Sequence, residues 1–422
     1  MKTTSPNSRG RATRAVFAAS IATLALVVAA CSPAPTDGDV SAANGSGDKP
    51  TTIDGGTIKN PSVVAPPTTQ PAGTDKPGTD KPGTGMPDGG MPTTPTQPTM
   101  PTTPAQPGPG GNPGLGVDHA RIPAARGGVG VARIGAAQYS KRAGDGSAQF
   151  RVNCTFSHMG FNDPIVFPGR SGASHLHIFF GNTSVDANTT PESVRSSGNS
   201  TCAGGTANRS SYWAPAVIDT ATGAPVISDA NPTDRDHFLQ VYYKTGYDGV
   251  LPATVRNFPV GLRMIAGSAT STSPQQRIIS YSCAEGSAPQ VPQQASFPQC
   301  APGQLLIMSV LFPQCWDGVN LDSPDHKSHM AYGAGWPDKG CPASHPVPLA
   351  QITQNFRYRV PAGGMANWRL SSDMYSGPAG YSGHADWMNG WDPAVFQRVV
   401  DNCYRGGFDC QMNLLGDGQA LL

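Results

Sequence analysis

Asn355-Phe356-Arg357-Tyr358-Arg359-Val360 places apolar and basic side chains on alternate sides with a period of two, the pattern of a half-buried strand. Working outward, short apolar segments recur between Gly, Pro, Ser and Asn clusters at 149–155, 175–180, 214–218, 238–243, 260–265, 277–282 and 305–312. Their lengths and spacing predict a mainly β fold: a single antiparallel β-sandwich-like domain with long loops and disulfides. One helix is expected near the C-terminus. Asp392 caps it, Pro393 takes its first position, Val395, Phe396, Val399, Val400 and Cys403 share one face, and Gly406-Gly407 ends it. A shorter helical turn is expected from Ser323-Pro324-Asp325, which would align His326 with His329 at i and i+3.

The N-terminal region cannot build a core. Lys2, Arg9, Arg11 and Arg14 precede an apolar run at 15–30 that is short for a membrane span, and the run closes on Val28-Ala29-Ala30-Cys31. That small-residue pattern is a bacterial lipobox. Residues 1–30 are therefore expected to be a lipoprotein signal peptide, with Cys31 the lipidated terminus of an exported protein. Its place is the outer side of the cytoplasmic membrane or the cell envelope, and its only membrane contact is the lipid. Residues 31–116 are rich in Pro, Thr, Gly, Ser and Asp and include a doubled Thr-Asp-Lys-Pro-Gly at 74–83. They read as a disordered tether with a coil span on the order of 50 Å. Residues 117–422 form the folded domain, since no second linker divides them.

Charge and cysteine usage narrow the function. The chain has 29 Lys and Arg against 28 Asp and Glu and no basic run beyond the leader, so the footprint of a nucleic-acid binder is missing. Nine cysteines less Cys31 leave Cys154, Cys202, Cys283, Cys300, Cys315, Cys341, Cys403 and Cys410. An even set in an exported chain predicts up to four disulfides, although eight thiols allow about 105 pairings. Zinc ribbons need C-x-x-C pairs, which are absent.

The candidate chemistry lies in three segments. The run 315–345 holds three histidines, four aspartates and two cysteines. In it, Asp325 is placed to orient His326 or His329, and His345 is restrained by Pro346 and by the nearby Cys341. His175 and His177 are two apart on an expected strand, so both imidazoles point to one side about 6.6 Å apart along the chain, on a face read as exposed and concave. That spacing suits a shared metal, a sugar cleft, or an acid and base pair. His384 and Asp386 repeat the spacing, followed by Trp387 and Trp391, and with Trp316, Tyr332 and Trp336 they offer a platform for stacking on sugar faces. Asp392 is assigned to the helix cap. The chain contains no Gly-x-Ser-x-Gly elbow, His-Glu-x-x-His helix or Walker loop, and no Gly-x-Gly-x-x-Gly placed between a strand and a helix. With Cys31 as the mature terminus, copper ligation by an N-terminal histidine is excluded too.

HLHIFFGN at 175–182, CWDGVNLDSPDHKSHMAY at 315–332 with CPASHP at 341–346, and GHADWMNGWD at 383–392 together resemble the secreted domain-of-unknown-function family numbered nineteen ninety-six. NRSSYWAP at 208–215 extends the likeness, which covers 117–410. The resemblance implies secretion and a shared histidine-rich site, without a reaction. Some fungal members of that family carry carbohydrate-binding modules, which turns the expectation toward glycans. The lipobox and tether depart from that pattern and would hold the domain near the cell's own envelope.

Three functions follow from these residues. The first is a glycan-active hydrolase or lyase whose cleft is lined by His175, His177, His326, His329, His345, His384, Asp325 and Asp386, the two aspartates being the pair a glycosidase needs. The second is a non-catalytic surface module that holds a glycan or a metal, and one divalent ion is the cofactor to test for. The third is a structural or adhesion protein whose histidines make local hydrogen bonds.

Overall fold

The computed structural model describes residues 115–227, 239–285, 288–289, 293–333 and 340–422. Residues 1–30, read as a signal peptide, Cys31, nearly all of 32–116, read as a tether, and Trp336 lie outside the described residues.

Eleven strands carry the architecture: β1 (Ala148–Cys154), β2 (Phe156–Gly160), β3 (His177–Gly181), β4 (Ser211–Pro215), β5 (Leu239–Thr245), β6 (Arg263–Gly267), β7 (Ile279–Glu285), β8 (Leu305–Leu311), β9 (Gln351–Arg359), β10 (His384–Met388) and β11 (Phe408–Met412). The larger sheet runs β7-β8-β9-β5-β1-β11, with a two-residue strand at either edge, and the smaller runs β6-β10-β4-β3-β2. Neighbours pair antiparallel except β11 with β1, which is parallel.

Alternation builds the interior. In β1, Ala148, Phe150, Val152 and Cys154 are buried while Gln149, Arg151 and Asn153 point outward. In β9, Ile352, Phe356 and Tyr358 face inward and Thr353, Asn355, Arg357 and Arg359 outward, as the opening hexapeptide predicts. The smaller sheet contributes Ile178, Phe180, Tyr212, Ala214, Met264, Ala266, Ala385 and Trp387 to the same core. Phe180 and Phe356 meet across the layers at 5.7 Å, and the hydroxyls of Tyr212 and Tyr243 hydrogen-bond at 2.6 Å. Two sheets sharing one apolar layer make a β-sandwich.

The C-terminal helix, α1 (Pro393–Val399), forms where expected. Asp392 accepts from the backbone N–H groups of Ala394 and Val395, and Val395, Phe396 and Val399 are buried. The helix continues as a wider turn through Tyr404, which places Cys403 beside Cys410. All eight cysteines among the described residues are paired, Cys154 with Cys202, Cys283 with Cys300, Cys315 with Cys341 and Cys403 with Cys410. Four disulfides place the folded domain in an oxidising compartment. Among the described residues no helix is long and apolar enough to cross a membrane.

The turn at Ser323-Pro324-Asp325 departs from expectation. It does not become helical: His326 N–H closes a tight turn on the Ser323 carbonyl at 2.8 Å, and His326 sits in the left-handed region at φ +59°. Asp325 Oδ1 accepts from Ser323 Oγ and from the N–H groups of Lys327 and Ser328, so the carboxylate stabilises a turn in place of a helix.

Candidate metal and acid–base site

The smaller sheet has a second face, turned away from the core. On it lie His177 and Phe179 of β3, Trp213 of β4, Ile265 of β6 and His384, Asp386 and Met388 of β10. The registers Phe179–Trp213, Trp213–Asp386 and Asp386–Ile265 hold them side by side. This face is covered, contrary to the exposed concave surface expected for His175 and His177. Ile165, Val185 and Val194 pack over Phe179, Trp213 and Met388 as a second small core. The segment just after β2 brings Asn162 and Asp163 to the histidines, and His177 has no accessible surface.

Inside it three imidazoles converge. Ring centroids are 4.2 Å apart for His175 and His177, 5.0 Å for His175 and His384, and 5.8 Å for His177 and His384. His177 Nδ1 lies 2.9 Å from the Asn162 carbonyl oxygen and His384 Nδ1 2.9 Å from the Ser382 carbonyl oxygen. A carbonyl only accepts, so each Nδ1 carries the proton and each Nε2 presents a lone pair. The Nε2 atoms of His175 and His177 are buried with no hydrogen-bond partner.

Two carboxyl groups adjoin them. Asp386 has both side-chain oxygens buried and unpartnered, while Asp163 Oδ1 accepts from the N–H groups of Ile165 and Val166 at 3.0 Å. One donor atom each from His175, His177 and His384 lie within 4.8 Å of one another, and the same holds for Asp163, His177 and Asp386. His177 belongs to both groups.

Burial sets the electrostatics. Desolvation lowers the imidazole of His177 to about 4 and, with the charge of His177, that of His384 to about 3; His175 falls well below its ordinary value for the same reasons. All three rings are neutral at neutral pH. Burial, with Asp163 nearby, raises Asp386 well above the usual carboxylate range, and burial raises Asp163 as well. Neutral imidazoles with bare Nε2 atoms, beside a buried carboxyl that no protein group satisfies, fit a divalent cation. Its charge offsets the desolvation of the carboxylate and uses the lone pairs, and carbonyl hydrogen bonds on Nδ1 are how ligating histidines are oriented. An imidazole and carboxylate donor set suits zinc or another first-row transition ion better than calcium or magnesium.

A second constellation borders this one. His326 Nδ1 lies 3.0 and 3.1 Å from the two oxygens of Asp322, which Arg263 approaches at 3.4 Å. The hydrogen bond to Asp322 raises the His326 imidazole against the opposing effect of burial. Asp322, despite its burial, is held low by that bond and by Arg263. His326 and Asp163 also interact electrostatically, so this dyad adjoins the metal-type group. Lys327 reaches over β6 to donate to the Gly267 carbonyl at 2.6 Å, with Asp386 within range of its charge.

The remaining expected site residues stand elsewhere. His329 spans Ser323 Oγ and the Arg263 carbonyl, and His345 meets the Ser328 carbonyl, so both brace the 315–345 loop and contribute no ring to the cluster. Asp325 is a turn acceptor held low by Ser328 N–H and Ser323 Oγ, and Asp322 takes the orienting role foreseen for it. Trp387 and Trp391 are core residues, because β10 turns Trp387 inward and the indole of Trp391 donates to Tyr243. Neither offers a ring face to a sugar. Trp316 donates to the Asn320 carbonyl and Tyr332 to the Leu311 carbonyl. The reading from sequence missed Asp163 and Asp322, and the Asp163-Pro164 pair signals only a turn.

Fold and site together define a disulfide-stapled β-sandwich with a buried histidine and carboxyl cluster on the outer face of its smaller sheet. The chain belongs to the family described as Domain of unknown function (DUF1996), whose model matches residues 163–391. That span begins at Asp163 and takes in all three clustered imidazoles, Asp322, His326 and Asp386. No curated protein and no solved structure matches the chain.

Proposed function

We propose that the domain binds a divalent transition-metal ion through Nε2 of His175, His177 and His384 with Asp386 as the charged ligand, and uses it to act on a polysaccharide of the cell envelope. One observation carries this reading: Nε2 of His177 and both oxygens of Asp386 are buried without partners, in groups whose donor atoms lie within 4.8 Å of one another. Buried polar atoms in folded proteins are mostly paired, and what sets these apart from other unpartnered atoms of the domain is that they gather with further imidazole and carboxyl donors. An ion there supplies a Lewis acid for a sugar or water oxygen. His326 is the proton-moving group, since Asp322 orients its ring and leaves Nε2 for a substrate. Its backbone is left-handed at φ +59°, a conformation that non-glycine residues adopt uncommonly.

The envelope assignment rests on other residues. Val28-Ala29-Ala30-Cys31 supports a lipid anchor, the composition of 31–116 supports a tether, and the four disulfides fit an exported domain. A second reading, metal binding without turnover, draws on the depth of the cluster: His177 and His384 are buried and only His175 is half-open.

The test is release of new reducing ends or unsaturated sugars from purified envelope polysaccharide. Turnover is expected to vanish with a chelator, return with metal, and be lost in His326→Gln while metal content is retained. Absence of product with the metal-loaded protein leaves only the binding reading. Full turnover in His326→Gln removes that residue from the chemistry.

A further inference from the structure

The three imidazoles are not the whole donor set. The group of His175, His177 and His384 and the group of Asp163, His177 and Asp386 share one ring, so together they hold five side chains. Donor atoms on one first-row ion lie about 2.1 Å from it, and no two of them stand more than about 4.2 Å apart. Asp163 is not grouped with His175 and His384. An ion among the three Nε2 atoms that takes one oxygen of Asp386 therefore leaves the other oxygen, and Asp163, unserved.

No protein group serves them either. Asp386 is 1% exposed, and both of its oxygens are buried without a partner. Asp163 is 4% exposed and commits only Oδ1, to the N–H groups of Ile165 and Val166. Its Oδ2 accepts no hydrogen bond among the described residues. Lys327, the cation whose charge reaches Asp386, donates to the Gly267 carbonyl and bonds neither carboxylate. Asp163 lies within electrostatic reach of both His384 and His326, so it links the imidazole group to the His326 and Asp322 dyad.

We propose that Asp163 and Asp386 hold a second divalent ion, of the oxygen-seeking class of magnesium and manganese, with the Asp386 carboxylate bridging it to the ion of the imidazole group. The inference rests on that first ion, whose charged ligand supplies the bridge. Two buried carboxylates side by side repel one another, and a cation between them offsets both that repulsion and their desolvation. Paired catalytic ions stand about 3.5–4 Å apart, a separation that one bridging carboxylate spans. Oxygen donors favour manganese or magnesium over zinc, and two carboxylates are too few for calcium, which takes six to eight oxygens. The remaining positions of such an ion hold water or a substrate oxygen. With few protein ligands it is the exchangeable ion of the pair, and it leaves when unbound metal is removed while the imidazole-held ion stays.

The full chain is loaded with zinc, freed of unbound metal and titrated with manganese, and free manganese is read from its electron paramagnetic resonance signal. Manganese binds imidazole more weakly than zinc does, so it reports on the oxygen position without displacing the first ion. One manganese per chain is expected. Asp163→Asn keeps the Oδ1 that holds Ile165 and Val166, so this variant should retain its zinc and bind manganese at least about tenfold more weakly. With copper in the imidazole position of the wild type, added manganese should broaden the copper signal, because the two ions share a carboxylate. A protein that keeps neither zinc nor copper overturns the first reading and this one with it. Zinc retained without manganese uptake, manganese bound equally by Asp163→Asn, or a copper signal indifferent to manganese overturns the second ion alone.

Discussion

Asp386→Asn keeps the size and shape of a side chain whose two oxygens are buried without a partner, and removes only its charge. A metal-bound Asp386 and an uncompensated one predict opposite signs for this change. In chelator, the Asp386 carboxyl, which burial pushes toward its protonated form, has no hydrogen-bond partner, and a buried unsatisfied group costs about 1–3 kcal/mol. Asp386→Asn should therefore be as stable as the wild type or more so. With an ion present at a hundred times its dissociation constant, the wild type gains about 2.7 kcal/mol. At roughly 2–4 °C per kcal/mol for a domain of this size class, the midpoint rises about 5–10 °C. The asparagine variant keeps three neutral imidazoles but no counter-charge, and a hundredfold loss of affinity would remove nearly all of that gain. Calorimetry at pH 7.5, with chelator and with zinc, manganese or copper added in turn, reads both signs. A wild-type midpoint indifferent to every ion refutes the reasoning. So does a loss above about 1 kcal/mol for Asp386→Asn in chelator, which would mean that the carboxylate has a protein partner.

Three further outcomes follow from the same structure. In chelator, His177 and His384 have depressed folded values, so the unfolded chain binds protons that the folded one refuses, and their contribution to stability falls from about pH 6.5 toward pH 4, by about 3 kcal/mol for His177 alone; the raised carboxyls of Asp386 and Asp163 act with the opposite sign, so the difference in urea stability between wild type and His177→Gln, followed over that range, should show the histidine slope. Gly267 pairs with His384 at φ +85°, and a Cβ there would stand 2.5 Å from the Gly383 carbonyl oxygen and 2.9 Å from His384 Cα, so Gly267→Ala should cost about 1–3 kcal/mol and weaken metal retention, checked by melts and metal content. Cys315 and Cys341, 26 residues apart, staple the loop that carries Asp322 and His326; their joint replacement by Ala should cost about 3–4 kcal/mol in denaturant melts and loosen that dyad while the histidine cluster on β3 and β10 still binds metal.

Much of the fold is legible in short periodicities. The alternation of Phe356 and Tyr358 with Arg357 and Arg359 marks an inward and an outward face, and Asp392-Pro393 before an apolar stripe marks α1, because each signal depends on a few neighbouring residues. The histidines are legible as motifs for the same reason: His384 with Asp386 occupy one side of β10, and His175 stands two residues ahead of His177, where β3 begins. Which face they occupy is not. A period of two separates two faces without saying which of them a distant loop covers, and here Ile165, Val185 and Val194 cover the one that looks polar. Asp163 is invisible for a related reason, since it reaches His177 from a loop and not from a periodic element.

Register explains the rest. Asn153, Gln240, Asn355, Ser309 and Ser280 stand side by side on β1, β5, β9, β8 and β7, yet no two of them lie closer than 29 residues in sequence, so their alignment emerges only from strand pairing. Conversely, the density of histidine and aspartate in 315–345 overstates the chemistry there. His329, His345 and Asp325 are consumed by hydrogen bonds that hold a disulfide-bounded loop in shape, and the residues left for chemistry are His326 and the Asp322 that precedes it by a turn.

The central claim is that His175, His177, His384 and Asp386 hold a metal ion, and elemental analysis tests it most directly. The tag-free, oxidised protein is equilibrated with a mixture of divalent ions, freed of unbound metal and measured beside a His175→Ala/His177→Ala variant. One equivalent of a transition metal in the wild type and none in the variant is the predicted result. No bound metal in the wild type, or equal metal in both proteins, contradicts it.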